Sequence, residues 1–161
     1  LPSGPLRETL SAVKKHHIAV VNCQTDKNRK NIKEELLKVN NNIDVYFSRY
    51  EVNKKDIDKF KNKEFLAFAG IGSPENFFNL LSDLNFLIKK KIPYPDHYQY
   101  SQDEIEKLIS IAKMNNLEII TTEKDYYRLK NFDIEKINFL PVNLLIENKE
   151  NFTKNIIKFI K

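Results

Sequence analysis

The strongest constraint on the fold is a change of period that recurs along the chain. Short apolar, β-branched runs are followed by stretches whose apolar residues lie three and four apart. Residues 18–22 (IAVVN) are the first run and predict a buried strand. Residues 26–39 are charged but carry Ile32, Leu36 and Leu37 at helical spacing, which predicts an amphipathic helix. Residues 43–52 (IDVYFSRYEV) alternate and are rich in Val, Tyr and Phe, as a strand requires. The run 65–71 (FLAFAGI) predicts a second buried strand that leads into Gly72-Ser73-Pro74. There Ser73 as N-cap and Pro74 at the first helical position start a helix to about residue 81, burying Phe77, Phe78, Leu80 and Leu81. Residues 85–92 read as another strand, closed by Pro93 and Pro95. Ser101 and Glu104 form a capping box ahead of the stripe Ile105, Leu108, Ile109 and Ala112. Residues 117–121 predict a strand, and Thr122 caps a short helix over 123–129. Residues 137–146 contain a strand interrupted by Pro141, and 149–161 form a last amphipathic helix with Phe152, Ile156 and Ile160. Such alternation implies an α/β fold: a largely parallel sheet with flanking helices.

Length and composition bound the rest. The 161 residues can bury a real core as one domain or slightly more. The proline-rich 93–95 stretch is the expected boundary, dividing a core at 1–92 from a small α/β subdomain at 93–161, and the mixed-charge stretch 53–63 reads as a surface connection. The 41% apolar and 30% charged content excludes collagenous, mucin-like and wholly disordered classes. No apolar run approaches the roughly 20 residues needed to cross a bilayer. The single Cys23 cannot form an internal disulfide or a cysteine zinc site; it reads as a buried small residue in a reducing compartment. Gly4, Gly70 and Gly72 are too few and wrongly spaced for a phosphate-cradling loop, which excludes self-sufficient P-loop catalysis. The start at Leu1, with no signal-peptide pattern behind it, reads as a piece of something longer.

The net charge of +5 invites a second reading, a non-catalytic basic domain that binds RNA or another polyanion. Only Arg7, Arg29, Arg49 and Arg128 are arginines, however, and the lysines are scattered. Base readout favours the arginine fork, so solvated lysine faces, or attraction to an anionic lipid surface or phosphorylated substrate, account for the charge better.

Four places can carry chemistry. In LPSGPLRE (residues 1–8), Arg7 and Glu8 on a stiff extended segment suit a phosphate and a metal, or simply form a surface ion pair. In AFAGIGSPE (67–75), a strand runs through small residues into a capped helix, which makes either an anion site or a plain tight turn. In PDHY (95–98), His97 beside Asp96 is either a loop histidine that tunes a carboxylate elsewhere or a solvated one. In TTEKD (121–125), Thr and acids at a strand end make an ordinary helix start. His16 and His17, next to Lys14 and Lys15, read as surface residues.

Taken in order, LPSGPLRE (1–8), AFAGIGSPENFF (67–78), PDHYQY (95–100) and TTEKDYYRL (121–129) resemble the C-terminal half of the tetraacyldisaccharide 4'-kinases of lipid A synthesis. The resemblance spans nearly the whole chain. It implies a P-loop-kinase-like architecture lacking its P-loop half. It also implies transfer of the γ-phosphate of ATP, with Mg²⁺, to the 4'-hydroxyl of a phosphorylated acyl-disaccharide lipid in the complete enzyme. Arg7 and Glu8 match the family's metal and phosphate region, with Glu8 the metal residue. His97, with Asp96 beside it, matches the histidine that supports a catalytic aspartate. The Gly70 to Glu75 turn and the Thr121 to Asp125 helix start are expected to be scaffold or cleft-lining elements, with no chemistry assigned to them. The P-loop, an acidic metal segment, the catalytic aspartate and an apolar membrane-facing helix precede the first motif in that family, so the isolated fragment is expected to be soluble and inactive. The implied partners are the missing N-terminal kinase half and, peripherally, the cytoplasmic face of a bacterial inner membrane, with no nucleic acid. A degenerate remnant is the third reading.

Overall fold

The fold comes from a computed structural model, which describes residues 9–23, 26–132 and 134–160. Arg7 and Glu8 lie outside these residues. The elements run β1 (Ile18–Asn22), α1 (Arg29–Val39), β2 (Asp44–Glu51), α2 (Lys54–Asp58), β3 (Glu64–Ala69), α3 (Pro74–Asp83), β4 (Leu87–Pro93), α4 (Gln102–Met114), β5 (Glu118–Thr122), α5 (Glu123–Arg128), β6 (Ile137–Leu140), β7 (Asn143–Ile146) and α6 (Lys149–Ile160). Short 3-10 turns at Leu10–Lys15 and Asp26–Asn28 precede β1 and α1. Among the described residues no helix is long and apolar enough to cross a membrane.

The chain forms two compact units, one of residues up to Glu51 together with Asn143 onward, the other Val52–Val142. This division differs from the expected boundary at 92/93. That boundary falls within β4, which is bonded along its length to β3 and cannot leave the sheet. Pro141 does interrupt the 137–146 run, and its consequence is larger than a kink: β6 joins one sheet and β7 the other. The 53–63 connection contains the short helix α2.

The Val52–Val142 unit is a four-stranded sheet in the order β4-β3-β5-β6, every pair parallel. Its central strand β3 shows why residues 65–69 are apolar without alternation. Phe65, Ala67 and Ala69 pack on one face with Phe77, Phe78 and Leu81 of α3, while Leu66 and Phe68 pack on the other with Ile105, Leu108 and Ala112 of α4. A strand covered on both faces has no polar side to show. The capping box that starts α4 is present in full. At α3 Ser73 occupies the N-cap, yet its side chain makes no capping bond, so Pro74 and the backbone define that start.

The other unit is a three-stranded sheet, β1-β2-β7, with β1 parallel and β7 antiparallel to β2. Arg29 ties it together: its guanidinium bonds Glu147 beyond β7 at 2.8 and 2.9 Å and the Cys23 carbonyl beyond β1 at 3.3 Å, over the Phe47 ring. Asn155 of α6 bonds Asp44 and Tyr46. Its core is thin. Leu36 and Ile43 are its buried apolar side chains among the described residues, and Cys23 is only partly buried. Of the expected α6 stripe, Phe152 and Ile156 are half-buried, whereas Ile160 is exposed.

Candidate active site

In a parallel sheet all strands end at the same edge, and the loops leaving them meet there. Three of the four sequence motifs leave the C-terminal ends of adjacent strands: Gly70 follows β3, Asp96 and His97 follow β4, and Thr122 to Arg128 follow β5. The order β4-β3-β5 puts Gly70 in the middle, and hydrogen bonds join all three.

Asp125 is the hub. It is fully buried, at 0% exposure, where an unpaired carboxylate would be costly. Its Oδ2 accepts from the Gly70 N–H at 2.9 Å and from the Thr122 hydroxyl at 2.7 Å, and its Oδ1 accepts from Arg128 Nη1 at 3.0 Å. The Thr122 hydroxyl in turn accepts the Asp125 N–H at 3.1 Å, so the expected cap is present and does double duty. Arg128 Nη1 also donates to the Gly70 carbonyl at 2.8 Å, and Nη2 meets His97 Nδ1 at 3.0 Å. Both backbone groups of Gly70 are thus consumed inside the protein. The Gly70 N–H therefore serves the turn and Asp125.

Glycine is required at 70 for space. A Cβ there would stand 2.7 Å from Tyr100 Oη, 3.2 Å from Asp125 Oδ1 and 3.3 Å from Tyr98 Cβ. Tyr100 is buried and its hydroxyl has no hydrogen-bond partner of good geometry. Burial first, and then the nearby Asp125 carboxylate, push this phenol well above its ordinary range. Tyr100 packs edge-on against Tyr94 and Tyr98, Tyr94 lies tilted against Tyr98, and Phe68 meets Tyr94 and Tyr100 edge-on, stiffening the segment that carries His97. Tyr98 donates its hydroxyl to Glu104, and this bond, with those from Ser101, holds the Glu104 carboxyl below the usual carboxylate range.

His97 stands at the rim with its side chain 72% exposed and its backbone in the left-handed region at φ 57°. Among the described residues the other non-glycine positions with positive φ are all asparagines, which tolerate it best. Asp96 Oδ1 accepts the His97 N–H at 2.9 Å, bracing that turn. The Asp96 carboxylate stays 3.8 Å from His97 Nε2. Asp96 is therefore a brace for the His97 backbone in this structure. Among the described residues no group of three or more His, Cys, Asp or Glu side chains could hold a metal ion. A shallow concavity lined by Lys63, Ile109, Lys113, Leu117, Glu118 and Lys136 lies at the opposite, N-terminal end of the strands, away from these motifs.

The sequence pointed to His97 and Asp96, left Asp125 as scaffold or cleft lining, and singled out no role for Arg128. The available signal was Thr-x-x-Asp followed three residues on by Arg, which places an acid where it caps its own helix and a base one turn later.

Comparison with known proteins bears on all of these motifs. The family model described as LpxK, tetraacyldisaccharide-1-P 4'-kinase, matches residues 1–161. The tetraacyldisaccharide 4'-kinase of Pelagibacter ubique is 37% identical over 159 residues, covering 98% of this chain and 50% of that protein. That of Rickettsia typhi is 36% identical over 158 residues, covering 98% and 47%. The chain thus spans about half the length of the curated relatives it matches. Its fold is that of a crystal structure of LpxK from Aquifex aeolicus in complex with ATP, with a TM-score of 0.61 at 22% identity, covering 98% of this chain and 47% of that one. With motif order, fold and family model in agreement along its whole length, the chain belongs to the tetraacyldisaccharide-1-P 4'-kinase family.

Proposed function

We propose that this chain forms the C-terminal portion, inactive by itself, of an ATP-dependent kinase that phosphorylates the 4'-position of a tetraacyldisaccharide 1-phosphate. The observation that carries this reading is the meeting of three motifs at one sheet edge, with His97 braced and exposed at its rim. Phosphoryl transfer is dominated by positioning and charge neutralisation, so a rigidly held rim fits that chemistry. His97 would support the carboxylate that accepts the proton of the sugar hydroxyl, and the fixed Gly70 turn and α5 start would hold it in place. The part played by Arg7 and Glu8, as phosphate and metal residues, belongs to the same proposal. The described residues present no ligand set for Mg²⁺. On this reading the chain needs the kinase half it does not match in its relatives, and works peripherally at the cytoplasmic face of a bacterial inner membrane.

The test is a fusion of this chain behind the unmatched half of the Pelagibacter ubique relative. Radiolabelled γ-phosphate should pass from ATP to the tetraacyldisaccharide 1-phosphate. A folded, ATP-binding fusion that transfers no label to this acceptor contradicts the proposal. The competing polyanion reading predicts salt-sensitive RNA binding by the chain alone, which the scattered lysines do not favour.

A further inference from the structure

We infer that Arg128 is a positioning residue for His97: anchored by buried Asp125, its guanidinium fixes which ring nitrogen of His97 faces the reaction. This inference rests on the reading of His97 as the site histidine and adds a function for two residues outside that reading. A guanidinium carries only donors. Its Nη2, 3.0 Å from Nδ1, therefore requires the Nδ1 lone pair, and the neutral ring must hold its proton on Nε2. The consequence is directional. Nδ1 is occupied on the protein side, and Nε2–H is the ring group left for a reacting carboxylate.

The fork geometry makes Arg necessary. Nη1 is committed to the Gly70 carbonyl and Asp125 Oδ1, and Nη2 alone reaches His97. A lysine keeps the ion pair with Asp125 but has a single nitrogen and cannot span both partners. Asp125 is held by groups from β3 and β5 ends, so the position of the His97 ring is set by the sheet itself. Without this anchor a side chain that is 72% exposed on a left-handed turn would sample several rotamers.

The experiment is nitrogen-15 NMR of the 161-residue chain with labelled histidine and arginine, at a pH where imidazoles are neutral. His97 is assigned with His97→Asn, and the exposed His16 serves as an internal reference. The expected result is a pure Nε2–H tautomer for His97, a coupling across the hydrogen bond between Arg128 Nη2 and His97 Nδ1, and slowed rotation of the Arg128 guanidinium. In Arg128→Lys the coupling disappears and the His97 nitrogens move to the tautomer mixture seen for His16, while the Gly70 amide signal stays in place. A His97 ring protonated on Nδ1 in the unsubstituted chain overturns the inference, as does an Arg128→Lys spectrum in which His97 is unchanged. The unsubstituted chain alone decides the first point, so the test survives a variant that fails to fold. Failure of the kinase reading would show separately, as a fusion that transfers no phosphate while His97 keeps its tautomer.

Discussion

Replacing Asp125 tests the architecture of the rim most sharply. The carboxylate is fully buried and every group around it is a donor or can act as one: the Gly70 N–H at 2.9 Å, the Thr122 hydroxyl at 2.7 Å and Arg128 Nη1 at 3.0 Å. Asp125→Ala strands the Gly70 N–H and leaves Arg128 without its counter-charge. Breaking a buried pair from one side costs about 3–5 kcal/mol, and Arg128, at 21% exposure, recovers part of this from water, so about 3 kcal/mol is expected. Asp125→Asn should lose most of the same amount despite its matching shape, because its amide NH₂ must face a donor. For a chain of this size the loss corresponds to roughly 6–12 °C in Tm. Urea unfolding followed by circular dichroism, with hydrogen exchange at the Gly70 amide, measures both the global and the local effect. If Asp125→Ala and Asp125→Asn both stay within about 0.5 kcal/mol of the unsubstituted chain, the hub assigned to Asp125 is wrong.

Other expectations concern its neighbours. Gly70→Ala forces a Cβ to 2.7 Å from Tyr100 Oη and should cost about 1–3 kcal/mol by overpacking, much of it recovered when Tyr100→Phe removes that oxygen; additive losses in the urea midpoints would refute the contact. Tyr100→Phe alone should change stability by less than about 1 kcal/mol, since the buried hydroxyl lies near the Asp125 carboxylate but makes no hydrogen bond of good geometry. Because the folded state raises the Tyr100 pKa, its contribution is intact below the ordinary phenol value of about 10 and falls as pH climbs above it; a pH series of unfolding midpoints should show the decline, and Tyr100→Phe should reduce it. Glu104 shifts the other way: its lowered pKa gives stability that is present above the ordinary value of about 4.3 and lost as pH falls through the folded value, a slope that Glu104→Gln should flatten.

Much of the fold was legible because each element announces itself locally. The capping box at Ser101 and Glu104, the Thr122 cap and the unbroken apolar β3 all depend on neighbours in sequence, and all stand where the patterns put them. What the sequence hid depends on distant pairing. Pro141 reads as an interruption, but nothing near it says that β6 and β7 pair in different sheets. The two compact units do not divide at the prolines 93–95 for a related reason: prolines that end a strand mark a turn, and the strand they end is bonded to β3. The site shows the same limit. His97 and Asp96 stand out as residue types, whereas Asp125 and Arg128 look like any charged helix start until β3 brings Gly70 between them. Arg128 and His97 lie 31 residues apart, and no local pattern encodes their contact.

The most direct test of the account is the turnover of His97→Ala in the fusion with the unmatched half of a relative. A histidine that supports the reacting carboxylate should be worth about 10²–10⁴-fold in kcat, with the KM for ATP little changed, because loss of acid–base support slows chemistry rather than nucleotide binding. A His97→Ala fusion that turns over at the unsubstituted rate would contradict the placement of the active site at this edge of the sheet.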